Sequence, residues 1–538
     1  MNISITLITV CSLLMFTAVA WGGEYPEKWN YMGGNTMTAE STQKLIDALK
    51  EAKAAGCTHA MWTGSRGPRI PEMTEEQRGF SKQFEAEAKK VGVKIIPSIF
   101  SFGYSGRYFH FDPNLSAGIP VKEMPYIVKG KTAAPDPALA LDTSKLTKEG
   151  NKLSGSYSVK PFMYYRISFV TTDATYEDTE QITVVMSSGG KRRNCYRNPT
   201  ITKQNDKFLV QSIFNTLEAD KIRVSVDCGK GTVTDVKVEP AGMLLILKRK
   251  WLPFKVTSED GKTEYAEGKD FKEVLDAPLQ IKPFPGEFPI DHAAPLIELT
   301  DGTSITDGQK LLVSFWHPNR IYNDQDMISM EDPAVWEILE LEMKEVSKLF
   351  DVEGYMLGYD EIRIAGWEPQ PDGKQLKPGQ LLAEHFKRAY DLVRKYSPNA
   401  KIYTWSDMFT PYHNARPFEN KGYYYLVNGN WDGSWEGLPK DVIILNWYSP
   451  DAKGTKFFAD RGNPQILCGY YDGKSEKDMK NNIAKWMTVS EGVPGILGFM
   501  YTTWHSDYSN LDKYFKLVDT YKEWGQKQGA ATGPAKDH

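Results

Sequence analysis

From residue 29 the chain alternates short apolar runs with stretches whose apolar residues recur every three to four positions. WNYMGG (29–34) predicts a strand, and 39–55 a helix with Leu45, Leu49 and Ala52 on one face. CTHAMWTG (57–64) predicts a second strand. The helix expected at 74–91 carries Phe80, Phe84 and Val91 at helical spacing, and Gly92 ends it. VKIIPSIFSFGY (93–104) fits a strand buried on both faces. Strand, helix, strand, helix, strand is the opening of a parallel α/β fold.

The rhythm then breaks. Between 140 and 300 no long helix is predicted. The apolar runs there are YYRISFVTT (164–172), QITVVMSS (181–188), KFLVQSIF (207–214), KIRVSVDCG (221–229) and GMLLILKRK (242–250). Strands at this spacing predict an antiparallel β-sandwich. SYSVKPFMYYRISFV (156–170) resembles the core strands of jelly-roll carbohydrate-binding modules.

The α/β rhythm resumes after this region, which is therefore read as an insertion. LLVSFWHP (311–318) predicts a strand leading to a helix at 333–350 with Val335, Leu339, Val346 and Phe350. Further strands are expected at 352–362, 401–409, 441–448, 464–473 and 495–504. Helices intervene at 379–396, with Leu382, Phe386, Ala389 and Val393, and at 475–490. With 29–34, 57–64 and 93–104 the parallel strands number eight, the count of a (β/α)8 TIM barrel. The expected organisation is a signal peptide (1–20), a first barrel part (21–139), an inserted, jelly-roll-like β-sandwich after the third strand (140–300), the rest of the barrel with the catalytic site (301–524) and a disordered tail (525–538).

Composition narrows the function. In 538 residues, 41% hydrophobic content excludes wholesale disorder, and 65 Lys+Arg against 69 Asp+Glu argues against a nucleic-acid partner. The 14 Trp and 28 Tyr offer flat apolar faces of the kind that pack on sugar rings. Residues 4–20 are apolar and end in Ala18-Val19-Ala20, a signal-peptidase pattern, although no Lys or Arg precedes them. Export to the periplasm or the extracellular space is expected, and no later segment is long and apolar enough to span a bilayer. Cys57, Cys195, Cys228 and Cys468 fit no zinc spacing; Cys195 and Cys228 either pair or remain free thiols. No metal site, P-loop or dinucleotide motif is present, so neither metal nor cofactor is expected. TIM barrels and sandwiches both dimerise readily, and a homodimer is compatible with the sequence.

In such a barrel, active groups sit at the C-terminal ends of strands. Here those ends read Gly358-Tyr359-Asp360-Glu361, Trp405-Ser406-Asp407, Asn446-Trp447-Tyr448, Tyr470-Tyr471-Asp472 and Trp504-His505-Ser506-Asp507. Glycoside cleavage needs this combination: an acid for the leaving oxygen, negative charge near an oxocarbenium-like centre, and apolar walls under the ring. Adjacent carboxylates also raise each other's cost of ionisation. His59, Trp62, Trp316 and His317 either line the cleft or pack. Arg363 and Trp367 would hold the loop after the pair. Lys191-Arg192-Arg193 either meets an anionic glycan or is solvated surface.

LGYDEI (357–362) resembles the Gly-x-Asp-Glu signature of family 20 glycoside hydrolases, the β-N-acetylhexosaminidases, and of the related family 123 β-N-acetylgalactosaminidases. VKIIPSIFSFGYSG resembles the family's third strand, YTWSD its fifth-strand motif, and YTTWHSDY its eighth-strand Trp followed by an acid. The resemblance implies substrate-assisted retaining hydrolysis of an oligosaccharide or glycoconjugate. Glu361 would protonate the glycosidic oxygen and later activate water. Asp360 would orient the 2-acetamido group, whose carbonyl oxygen is the nucleophile. Tyr470 or Tyr471 would hydrogen-bond the acetamide. Trp405, Trp447 and Trp504 would wall the −1 subsite, Asp507 would bind sugar hydroxyls, and Asp407 falls in the fifth-strand motif as a further substrate-binding candidate.

Three departures bear on the sugar. WNYMGG lacks the family's first-strand Arg, Tyr104 or a neighbour stands for the usual His after the third strand, and Tyr359 replaces the Gly before Asp. Two other readings stay open. Asp360 or Glu361 could pair with Asp407, Asp472 or Asp507 in a two-carboxylate mechanism, or the cleft could bind glycan without cleaving it.

Overall fold

The computed structural model describes residues 25–172, 182–189, 191–196, 199–320, 326–417, 424 and 426–525. The expected signal peptide and nearly all of the C-terminal tail lie outside these residues.

Eight parallel strands close a barrel in sequence order: Glu27–Met32, His59–Trp62, Lys94–Ile99, Gly354–Leu357, Lys401–Trp405, Ile443–Asn446, Gln465–Tyr470 and Ile496–Thr502. All eight fall within or next to the runs read from the sequence. Their inward side chains form one interior cluster, including Trp29, Met61, Ile96, Met356, Tyr403, Trp405, Leu445, Ile466 and Met500. This is the filled interior of a small barrel rather than a pore.

The surrounding helices start where their sequences supply caps. Thr38, Thr74 and Ser475 each form a capping box, opening Ala39–Ala54, Glu75–Val91 and Glu476–Val489. Gly92, at φ +73°, closes the second helix in the left-handed conformation that a side chain would disfavour. Pro333–Leu349 and Pro378–Tyr396 match their expected spans. Two further helices, Ala452–Arg461 and Leu511–Asp519, fall in spans for which no helix boundaries had been set. Among the described residues no helix is long and apolar enough to cross a membrane.

Between the third and fourth barrel strands the chain is largely β, from Ile119 to His317, which reaches past the expected 140–300 at both ends. A four-stranded sheet (Thr200–Gln204, Lys207–Asn215, Tyr164–Thr171, Val233–Pro240) and a five-stranded sheet (Lys191–Tyr196, Ile182–Ser188, Lys221–Asp227, Lys152–Ser158, Thr147–Glu149) alternate buried and exposed positions. Ile167, Phe169 and Val210 from the first sheet and Val184, Val224 and Val226 from the second belong to one apolar core.

A six-stranded sheet has at its centre Ile119–Lys129 paired antiparallel to Lys310–His317. LLVSFWHP is therefore the strand that closes the insertion. GMLLILKRK departs from expectation: Met243 to Leu247 are buried in turns and irregular chain, not in a strand. Leu245 has φ +56°, and its N–H donates to the Asp276 carboxylate instead of to a neighbouring strand. Uniform hydrophobicity reported burial there but not backbone pairing.

Cys57, Cys228 and Cys468 are buried free thiols, and the Cys195 side chain lies outside the described residues, as do those of Lys191, Arg192 and Arg193.

Candidate active site

Strand alternation decides what the cleft receives. At the end of the fourth strand Tyr359 turns outward and is fully buried. Its hydroxyl meets His385 Nδ1 at 2.8 Å, and its ring packs on Phe386. Burial drives the His385 imidazole down to about 3, so it is neutral at any physiological pH. With Tyr359 fixed among the helices, the neighbouring Asp360 faces the opposite way, over the barrel mouth. The third and fourth strand ends pass so closely that a Cβ on Gly103 would overlap the Asp360 carbonyl oxygen.

Asp360 is half-buried, and its carboxyl is pushed up to about 8, first by burial, then by the charges of Asp407 and Glu361. Tyr31, at the end of the first strand, lies within its field. Glu361 has a left-handed backbone (φ +47°), uncommon for a residue with a side chain. Its Oε2 accepts from the Tyr104 hydroxyl and, at 2.6 Å, from Arg363 Nη2. Arg363 is itself buried.

Asp407 does not open on the cleft. It is 2% exposed and begins the short helix Asp407–Phe409. Its Oδ2 accepts the Glu361 N–H at 3.0 Å and the Asn414 amide at 3.0 Å. Burial pushes it up to about 7, opposed by the Glu361 N–H and reinforced by the Glu361 charge.

The aromatic residues form a continuous wall. Trp405 lies 5.3 Å from Trp447, which lies 5.2 Å from Trp504; Trp504 stacks on Tyr470 at 6.1 Å and meets Tyr31 edge-on at 4.8 Å. Trp405 is buried in the barrel interior, whereas Trp504 is 46% exposed. The exposed Tyr448 extends this wall, 5.0 Å from Trp447, while the exposed Tyr412 packs on Phe457 instead. Asp472 shapes the wall from below: the Trp504 N–H at 2.6 Å, the His505 N–H at 3.2 Å and the Thr503 hydroxyl all donate to its carboxylate.

The structure thus brings together Asp360, Glu361, Trp405, Trp447, Trp504 and Tyr470, with Asp407 beneath them. Tyr471 is elsewhere: its ring packs on Tyr501 and Tyr514 in the helix layer, and its hydroxyl donates to Asn482 at 2.8 Å. The Asp507 carboxylate accepts the Ser509 N–H at 3.0 Å, a turn leading into Leu511–Asp519, and the Ser509 side chain first, then that N–H, hold it below the usual carboxylate range.

His59 is at the opposite end of the barrel, stacked on Trp29 at 4.4 Å and bonded to Glu353 at 2.9 Å. Trp62 is buried against Phe84 and Phe350. Trp316 is buried in the insertion, and His317 stacks on Tyr164 at 3.7 Å. Trp367 donates to the Leu426 carbonyl at 2.6 Å and so ties down the loop after the acid pair. Sequence reading did not single out Tyr31, Asn414 or Tyr424. Tyr31 carried a usable signal, since it lies two residues beyond the buried Trp29 on a barrel strand and so shares its inward face. Asn414 and Tyr424 come from the loop after strand five, where no periodicity marks a functional position.

Residues 297–532 match the model described as glycosyl hydrolase family 20, catalytic domain. The matched segment is less than half of the chain and contains the last five barrel strands with Asp360 and Glu361. No curated protein matches the chain.

Similar solved structures include a chitobiase from Flavobacterium johnsoniae, at 9% identity and TM-score 0.37, covering 93% of this chain and 52% of that one. An exo-β-N-acetylglucosaminidase from Vibrio harveyi is similar at 10% identity and TM-score 0.38, covering 93% of this chain and 56% of that one. A β-N-acetylhexosaminidase from Bacteroides fragilis is similar at 10% identity and TM-score 0.38, covering 95% and 73% respectively. The chain spans little more than half the length of the first two.

Proposed function

Starting from the family 20 catalytic domain at 297–532, we propose that the protein is an exported glycoside hydrolase of the β-N-acetylhexosaminidase type, retaining and exo-acting. The observation that carries this reading is the Asp360–Glu361 pair at the end of the fourth strand, beside a wall of Trp405, Trp447, Trp504 and Tyr470. The wall supports an apolar ring face, and Glu361 stands at the half-exposed edge where a glycosidic oxygen would arrive. Glu361 donates a proton to that oxygen as the bond breaks. The substrate's acetamido carbonyl attacks the anomeric carbon, Asp360 accepts the acetamide N–H, and Glu361 then takes a proton from the water that opens the cyclic intermediate. Tyr470 is the strand-seven tyrosine suited to the acetamide.

The test compares matched aryl β-hexosides with and without a 2-acetamido group, using wild type and Glu361→Gln. Only the acetamido substrates should turn over, and the variant should lose about 10²–10⁴-fold in kcat, the usual contribution of a general acid–base. Equal rates on plain glycosides would remove Asp360 from its acetamide role. No turnover of either would leave a glycan-binding cleft as the better reading.

A further inference from the structure

Glu361 is held at two places by groups that the proposed reaction does not use. At its backbone, the N–H donates to Asp407 Oδ2 at 3.0 Å, and the residue keeps a left-handed φ of +47°. That conformation is disfavoured for a residue with a side chain and persists only where surrounding contacts enforce it. At its side chain, Oε2 accepts from both Arg363 and Tyr104, which leaves Oε1 as the oxygen to meet a glycosidic bond.

The two holds are joined. The Asn414 amide donates to Asp407 at 3.0 Å and to the Tyr424 hydroxyl at 2.8 Å. The Arg363 guanidinium lies over the Tyr424 ring at 5.7 Å, and Arg363 returns to the Glu361 carboxylate. The circuit runs from Glu361 through Asp407, Asn414, Tyr424 and Arg363 back to Glu361. Asp407, at 2% exposure, has no face to offer a sugar hydroxyl.

We propose that Asp407, Asn414 and Arg363 are positioning residues that aim Glu361 as proton donor by fixing its peptide and its carboxylate together. This inference rests on Glu361 being the acid, as in the acetamido reading and in the form of the two-carboxylate reading that uses Glu361. A misplacement of about 1 Å in a reacting group costs on the order of 10²-fold in rate, so a shift of the Glu361 peptide should be felt in proton donation before binding.

The experiment is a leaving-group series. Phenyl glycosides need protonation of the departing oxygen; 2,4-dinitrophenyl glycosides barely do. For Asp407→Ala, kcat/KM should fall about 100-fold on the phenyl substrate and less than about fivefold on the dinitrophenyl one. Asn414→Ala should show the same split at about tenfold, and Arg363→Lys should restore part of what Arg363→Met loses on the phenyl substrate. An equal fall on both substrates marks a general structural role and overturns the proposal. If plain aryl glycosides are the ones cleaved, the acetamide reading fails while the split still tests Glu361 positioning. A crystal structure of Asp407→Ala decides independently of activity. Glu361 should leave its left-handed conformation and lose Arg363; Glu361 unmoved in that structure overturns the proposal.

Discussion

At the scale of the residue, Asp360 carries two demands that oppose each other. Accepting an acetamide N–H requires a carboxylate, yet burial, Asp407 and Glu361 push its carboxyl up to about 8. Asp407, itself pushed up to about 7, titrates together with it. For acetamido substrates kcat/KM should therefore decline as pH falls through about 8, because the free enzyme then holds a proton where the substrate needs an acceptor. Stability should run the other way. A raised carboxyl holds a proton in the folded chain that the unfolded chain has released, so this contribution is full at low pH and is lost as pH rises through about 8. Asp360→Asn should accordingly raise Tm at pH 8.5 and change it little at pH 5, while abolishing the acetamide-dependent rate. Thermal melts at both values check this, and a Tm gain of equal size at both would remove ionisation as the cause.

At the scale of the element, the decisive quantity is the two-residue period of the barrel strands. It sends Tyr359 to the helices and Asp360 to the mouth, and it separates Tyr470, stacked on Trp504, from Tyr471, bonded to Asn482. Tyr471→Phe should cost roughly 1 kcal/mol of stability, the worth of one buried hydrogen bond, and leave kcat intact. Tyr470→Phe should keep Tm and lower kcat on acetamido substrates; matched melts and rates check both. All eight strands and the Asp-Glu pair were legible in the sequence, because buried parallel strands are written as contiguous apolar runs; the same contiguity hides the alternation, so Tyr470 and Tyr471 stayed alternatives until the structure separated them. GMLLILKRK shows the limit of that signal, since its burial comes from packing that no partner strand shares. Asp407 shows another: the spacing Trp-Ser-Asp placed it at a strand end, but not below the cleft, where its bond to the Glu361 N–H puts it. Asn414 and Tyr424 depend on how one long loop folds back, and nothing local in their sequence encodes that.

At the scale of the molecule, the insertion must be joined to the barrel without loosening the loop that follows Glu361. The joint is a buried ionic cluster. Arg249, from the insertion, pairs with Glu368, on the loop after the acid pair, and with Asp332 at 3.5 Å, the N-cap of Pro333–Leu349. Glu368 also accepts the Gly118 N–H and, at 2.7 Å, the Ser329 hydroxyl. Beside it Glu331 is pushed up to about 8, by burial first and then by Glu368. One guanidinium from the insertion thus compensates several buried carboxyls of the barrel part. Arg249→Met should cost about 3–5 kcal/mol, since it strands carboxylates in a dry interior, and Glu368→Gln in the same chain should recover part of that loss by removing one of them. The loss should grow from pH 5 to pH 9, because Glu331 carries its proton below about 8 and adds a further uncompensated charge above it. Melting curves of the single and double variants across that range measure it. A loss independent of pH, with no recovery in the double variant, would mean that Arg249 joins the two parts by packing alone, and the loop bearing Glu368 would then owe its position to Trp367 and its bond to Leu426.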